Sequence, residues 1–492
     1  MKKIKIIVLV VAILIITIYF LYGDNLKSIN KFIPNEYKLI VREYLFPKNE
    51  AEVIIERYKQ KVKNEAEVII ERYKQEAKRK DIIINKLQKK GDIQKLALNT
   101  GQNYLLDLII KNNLSDLVFT KRDKIKINDK SFLTFYFPSK NVLSQGINKS
   151  FPGSAFLDFH DDNLFLLSAI GITGYAIINN KDEKLRFLQI KNNIKEFINE
   201  KQFKKHRWNS TKDLKIFNNK IFVSYINEVK DGCFNTSIIY ADLIKNSTSI
   251  PVLYEELTFK TFFSPNECAE DSYWEFNGNQ SGGRIINLDS ENIVFSTGDF
   301  RHRQNAQDKK SILGKILKIN IKTKNYTVLS MGHRNPQGLY YDKKNNFILS
   351  TEHGPKGGDE INLIKLDQSQ IQNFGWPIAS YGEHYAFNTR LDLFPLLKSH
   401  KDNGFIEPLE YFVPSIGISQ IIGFGNNKYA YTSLKHKHLD FVRLNKDVIE
   451  EIKSIVVGER IRDAIYKENK IYLFLEDTAQ IGIISNVDSI LK

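Results

Sequence analysis

From about residue 130 to the C-terminus, short apolar runs recur with turn residues between them, and this rhythm constrains the fold more than any other feature. The runs include Phe156-Leu157-Asp158-Phe159, Leu164-Phe165-Leu166-Leu167, Ile221-Phe222-Val223-Ser224, Ile293-Val294-Phe295-Ser296, Phe347-Ile348-Leu349-Ser350 and Ile471-Tyr472-Leu473-Phe474. Many follow turns such as Asp161-Asp162-Asn163 or Lys343-Lys344-Asn345-Asn346. Short runs rich in β-branched and aromatic residues read as strands, and their even spacing points to a sandwich, a barrel or a propeller. A stretch of about 360 residues is too long for one sandwich and suits a propeller of about six blades of about sixty residues each. No strong internal repeat accompanies the strands, so spacing alone leaves the blade number open. The expected fold class is all-β, with a β-propeller over residues 116–492.

The N-terminus reads differently. Lys2, Lys3 and Lys5 precede seventeen residues without a charge, Ile6 to Tyr22, and Gly23-Asp24 end the run. A basic start before an apolar stretch is an export signal that keeps the N-terminus inside. At about 1.5 Å per residue the run just spans the hydrocarbon core. No small-residue cleavage site follows Tyr19-Phe20-Leu21-Tyr22, which favours an uncleaved signal anchor over residues 1–24. The expected location is a single-pass inner-membrane protein with its bulk in the periplasm.

Residues 49–60 and 64–75 are the same twelve letters, NEAEVIIERYKQ, a tandem repeat of period fifteen. Ile55, Tyr58, Val62, Ala66, Ile70, Tyr73 and Ala77 step by three or four, as one helix face does. Over four turns the period is about 3.75 residues per turn, so a coiled coil here would be straight or right-handed. Residues 25–115 therefore read as a helical stalk that spaces the domain or forms a homo-oligomer, or equally as a duplication in a tolerant surface helix.

The chain of 492 residues has a formal net charge of +15, much of it near the N-terminus and in lysine-rich loops. No zinc-finger, RNA-recognition or helix-turn-helix pattern goes with it, so the charge reads as solvated surface and nucleic acid is not an expected partner. Two cysteines, Cys233 and Cys268, show no CxxC spacing. They are a disulfide if the chain is exported, or two unrelated buried thiols.

Four segments carry unusual residue combinations. The first is Gln280-Ser281-Gly282-Gly283-Arg284 with Thr297-Gly298-Asp299 after it. The second is Gly332-His333-Arg334-Asn335-Pro336-Gln337-Gly338-Leu339. The third is Glu352-His353-Gly354-Pro355-Lys356-Gly357-Gly358-Asp359-Glu360-Ile361-Asn362, followed by Phe374-Gly375-Trp376-Pro377. The fourth is Leu434-Lys435 with Arg460-Ile461-Arg462-Asp463. Arg460 and Arg462 stand two apart, so on a strand they share a face. With Arg334 and Lys435 they form a candidate anion site, since clustered guanidinium groups repel unless an anion sits between them. The bare carbonyls of Gly354 and Pro355 are hard oxygen ligands suited to Ca²⁺. The plain alternative pairs each arginine with a local carboxylate, Asp299, Asp359 or Asp463, and leaves the glycines to make turns.

These segments resemble the glucose/sorbosone dehydrogenase family, over about residues 150–485 and most densely over 280–382. The resemblance implies a six-bladed propeller holding pyrroloquinoline quinone, a tricarboxylate, with Ca²⁺ at its mouth. It implies that Arg334 and Asn335 contact the quinone and substrate side, and that Lys435, Arg460 and Arg462 hold the cofactor carboxylates. It implies that Gly354 and Pro355 bind Ca²⁺ and that Asp299 orients the catalytic base. The family usually carries that base, a histidine, four residues before the arginine of the GGR segment; here the position is Gln280. An amide can hydrogen-bond but takes up no proton at a working pH. His302, His333 and His353 are the candidate substitutes by nearness in sequence.

Three functions compete on this reading. The first is a periplasmic oxidoreductase, dependent on pyrroloquinoline quinone and calcium, acting on an aldose or related sugar alcohol group and passing electrons to an acceptor not visible in the chain. The second is a non-catalytic propeller binding a carbohydrate or anionic ligand. The third is a stalked scaffold with an empty mouth.

Overall fold

In a computed structural model the described residues are 117–138, 154–178, 183–198, 209–246, 253–385 and 394–492, apart from residue 255 and residues 273–275. The chain divides into two units, residues 1–99 and 100–492. The anchor expected at 1–24 and the stalk expected at 25–115 lie outside the described residues. Among the described residues no helix is long and apolar enough to cross a membrane.

Strands carry almost all the regular structure of the described residues. They form six antiparallel four-stranded groups, two of which are joined in one nine-stranded sheet. The innermost strands are Ala155–His160, Thr211–Phe217, Gly282–Asn287, Pro336–Asp342, Ile418–Gly425 and Ile461–Lys467. Each neighbours the next, and the last neighbours the first, so the six blades close a ring. The hydrophobic cores lie between blades: Phe165 and Tyr175 of the first pack with Val223 and Ile239 of the second, and so on round the ring. The second strand of each blade is covered on both faces by neighbours. It therefore reads as a continuous apolar run, as in Lys470–Leu475, and not as an alternation. This is why the runs were so legible in the sequence.

Asparagine-rich turns join the strands. Asn218-Asn219, Asn426-Asn427 and Glu468-Asn469 each hold two consecutive positive φ angles, the geometry of a two-residue type I′ hairpin. The ring closes through the N-terminal hairpin. Phe132–Pro138 is the outer strand of the sixth blade, paired with Gln480–Ser485. Leu117–Lys126 pairs with it and with Lys184–Ile190 of the first blade. Cys233 and Cys268 are joined in a disulfide within the second blade, with Cα atoms 5.4 Å apart.

Five of the six inner strands share one irregularity. Register shifts fall between Thr211 and Asp213, Gly282 and Ile285, Pro336 and Gly338, Ile418 and Ile421, and Ile461 and Asp463. Such bulges bend a strand and re-aim a side chain. Lys212, Arg284, Gln337 and Arg462 sit in them, and all four line one central cavity.

Candidate functional site

At the base of the cavity, Arg284 donates from Nη1 to Asp213 Oδ1 at 2.7 Å and to Asp463 Oδ1 at 2.8 Å. Its Nε donates to the carbonyl of Gln337 at 3.0 Å. Asp213 and Asp463 also accept the backbone N–H groups of Ile285 and Leu157. One guanidinium thus ties four blades and reaches a fifth through Leu157. Burial, with Asp463 beside it, pushes the Asp213 carboxyl up to about 7 although Arg284 opposes the shift.

Above this triad the cavity has a volume of about 680 Å³. Gln280, Arg334, Asn335, Gly354, Pro355, Lys435, Arg460 and Arg462 all line it, so the four sequence segments meet. Asp299 is fully buried behind the wall. The sequence left the anion between Arg460 and Arg462 to be a ligand or a nearby aspartate; the chain supplies it from Glu476. Arg460 Nε donates to Glu476 Oε2 at 3.0 Å, and Arg462 Nη2 to Glu476 Oε1 at 3.0 Å. Burial would raise this carboxyl, but Arg462 and Arg460 hold it below its ordinary value. Hairpin arithmetic carries the missed signal. Ile461 faces Leu475 in the register, and the Glu476 N–H donates to the Arg460 carbonyl at 2.7 Å.

The plain alternative, in which Arg334 and Arg462 pair with Asp299, Asp359 or Asp463, does not occur for these two. Asp463 belongs to Arg284. Asp359 accepts the N–H groups of Gly354, Gly417 and Ile418. Asp299 accepts from Trp376 Nε1 at 2.7 Å and from the Arg301 N–H at 2.8 Å. Arg334 donates to the His353 carbonyl at 2.9 Å and lies 5.4 Å from the Trp376 ring centre.

Gln280 sits against Asp299. Its amide orientation is assigned from its partners. Nε2 donates to Asp299 Oδ1 at 3.0 Å, and Oε1 accepts from Arg334 Nη2 at 3.0 Å and Arg301 Nε at 3.1 Å. Both ends of the amide are engaged, and none can accept a proton. Of the three histidines near in sequence, His302 reaches the Glu270 carbonyl and does not line the cavity. His333 is buried between Ser330 and Glu352, where burial pushes it down to about 3. Only His353 lines the cavity, and its buried Nε2 has no hydrogen-bond partner among the described residues.

A calcium ion would have to come to main-chain oxygen here. The described residues contain no group of three His, Cys, Asp or Glu side chains arranged for a metal. Gly354 and Pro355 carry the donor type that Ca²⁺ takes, with the remaining ligands left to the bound molecule and water. Their loop is tightly folded: a Cβ on Gly354 would stand 1.9 Å from the Gly358 carbonyl oxygen. Lys398 Nζ, donating to the carbonyls of Ser380, Tyr381 and Gly382, fixes the segment packed on Pro355. For a tricarboxylate, the cavity offers Lys435, Lys212 and the two arginines that outnumber Glu476, which fits such a group.

The family model for glucose/sorbosone dehydrogenase matches residues 217–484, more than half of the chain. The chain belongs to this family. A relative, the aldose sugar dehydrogenase YliI of Escherichia coli, is 27% identical over 268 residues, covering 50% of this chain and 66% of that protein. The matches span between half and two thirds of the length of the first curated relatives. Among solved structures, the apo soluble aldose sugar dehydrogenase of Escherichia coli shares the fold of this family member. It aligns with a TM-score of 0.54 at 22% identity, over 68% of this chain and 96% of that one. The aldose sugar dehydrogenase of Streptomyces coelicolor, solved with pyrroloquinoline quinone bound, gives 0.50 at 18% identity, over 73% and 99%.

Proposed function

We propose that this chain is a sugar dehydrogenase that uses pyrroloquinoline quinone and Ca²⁺ to oxidise an aldose or related sugar alcohol group. The convergence of Arg334, Lys435, Arg460 and Arg462 with Gly354 and Pro355 on one cavity carries the reading. The quinone, when bound, would supply the acceptor for a hydride from the substrate carbon. Lys435, Arg460 and Arg462 would hold its carboxylates, the last two already oriented by Glu476. Arg334 and Asn335 would face the quinone and substrate; Asn335 is fixed by accepting the Gly282 N–H and the Gln337 amide. The carbonyls of Gly354 and Pro355 would ligate Ca²⁺.

The substrate hydroxyl must lose a proton, and Gln280 cannot take it. Absence of a general base costs a factor of about 10² to 10⁴ in rate. Turnover is therefore slow in this reading. The engaged amide of Gln280 favours a second reading, a propeller that binds a carbohydrate or an anion without turning it over. Dye-linked oxidation of a panel of aldoses, after reconstitution with the quinone and Ca²⁺, separates the two. The dehydrogenase reading expects oxidation above a control without the quinone; no oxidation of any sugar above that control leaves the binding reading.

The same proposal places the propeller in the periplasm, on an uncleaved anchor at 1–24 and a stalk at 25–115 that also serves as the oligomerisation arm. It rests on the sequence, with the disulfide as support, since disulfides persist in oxidising compartments. Electrons would leave to an acceptor near the membrane.

A further inference from the structure

The second and sixth blades enter the cavity with the same device. On the sixth, Arg462 is the bulged residue immediately before Asp463. On the second, Lys212 is the bulged residue immediately before Asp213. The two aspartates accept from the same nitrogen, Nη1 of Arg284. Lys212 and Arg462 are thus placed as counterparts about Arg284, and both line the cavity. The site is shaped for the lysine: a Cβ on Gly283 would stand 2.5 Å from the Lys212 Cβ, so only glycine lets the chain of Lys212 lie there.

Arg462 already has Glu476 as its partner. Lys212 makes no hydrogen bond or ion pair among the described residues through its ammonium. Two cations line one cavity, and Lys212, with no such bond of its own among the described residues, is left to attract an anion.

We propose that Lys212 is an additional ligand-binding residue, which with Arg462 clasps one carboxylate of the bound molecule. This rests on the quinone reading above. It assigns a role to a residue on the second blade, outside all four sequence motifs. The charged groups acting on Lys212 are Arg462 and Glu476 of the sixth blade; next to it in the chain is Asp213, held by Arg284 and with its own carboxyl raised to about 7. The first blade adds Ser168 and Ala169 to the cavity wall and no charge. Burial, then Arg462, brings the Lys212 ammonium down to about 7, against the pull of Glu476. A carboxylate between the two cations restores the charge. Binding then takes up a proton near neutral pH, and affinity falls as pH rises above the free value.

The test is equilibrium binding of pyrroloquinoline quinone with Ca²⁺, followed by absorption between about pH 6 and pH 9, with proton uptake from heats in buffers of different ionisation enthalpy. For the unaltered protein Kd should rise by up to about tenfold per pH unit above about 7. Lys212→Met should bind about 10- to 100-fold more weakly and lose the proton uptake. Lys212→Arg, which stays charged, should keep the affinity and flatten the profile. Lys212→Met binding as tightly as the unaltered protein, or Lys212→Arg keeping its pH slope, overturns the assignment. If the unaltered protein takes up no quinone at any pH, the cofactor reading itself falls and this inference with it.

Discussion

At the scale of single residues, Gln280 decides what the site can do. It lies 3.0 Å from Asp299, with its oxygen held by Arg334 and Arg301. A histidine in its place would find the same carboxylate ready to orient its ring. Gln280→His should therefore raise the sugar oxidation rate by about 10²- to 10⁴-fold, read as kcat in the dye-linked assay. An unchanged rate would show that proton removal does not limit this protein. Arg284 decides stability in the same way. Arg284→Met would leave Asp213 and Asp463 buried without their cation, at a cost of about 3–5 kcal/mol in chemical denaturation. A loss under about 1 kcal/mol would mean that the pair simply takes up protons. Motifs showed the residues that line the cavity, because glycine, proline and arginine combinations are rare in strands. They did not show Lys212, Asp213 or Glu476. Bulges re-aim Lys212 and Asp213, and no period-two pattern announces a bulge; Glu476 lies just past its strand, across the hairpin from Arg460.

At the scale of elements, the loop from Gly354 to Gly358 and the strand after it carry the consequences. Gly354→Ala places a methyl against the Gly358 carbonyl and forces the loop to move. The expected result is weaker Ca²⁺ binding with the folded state retained, seen by calorimetry; unaltered Ca²⁺ affinity would remove these carbonyls from the metal site. Behind the loop, Glu360 is buried with Glu352 and Asn362, and burial followed by the Glu352 charge raises its carboxyl well above the ordinary value. A raised carboxyl binds its proton in the folded state at pH values where the unfolded chain has lost it. Stability therefore falls as pH rises above the usual glutamate range. Glu360→Gln, which mimics the protonated acid, should reduce this slope in melting experiments run from about pH 5 to pH 8; an unchanged slope would place the effect elsewhere.

At the scale of the molecule, the ring is closed by residues that come before every motif. Phe132–Pro138 completes the sixth blade, and Leu117–Lys126 sews it to the first. Removing residues up to 138 would expose the edge of Gln480–Ser485 and should abolish cooperative unfolding. A truncated chain melting in one sharp transition would show that the ring holds without its latch. The all-β class was legible because blade-centre strands are covered on both faces and read as apolar runs. The closure was not, since its partners are some 350 residues apart in sequence, Phe132 against Ser485 being the extreme pair. The six blades were not countable from repeats either: each adapts its loops to the site and keeps no common sequence.

The central proposal is that one cavity takes a polyanionic quinone with calcium. Its most direct test is a calorimetric titration of the purified chain with pyrroloquinoline quinone, with and without Ca²⁺, beside an Arg460→Ala/Arg462→Ala variant. It predicts a single saturable site that needs Ca²⁺ and is lost in the variant. No binding, or binding that survives loss of both arginines, would contradict it.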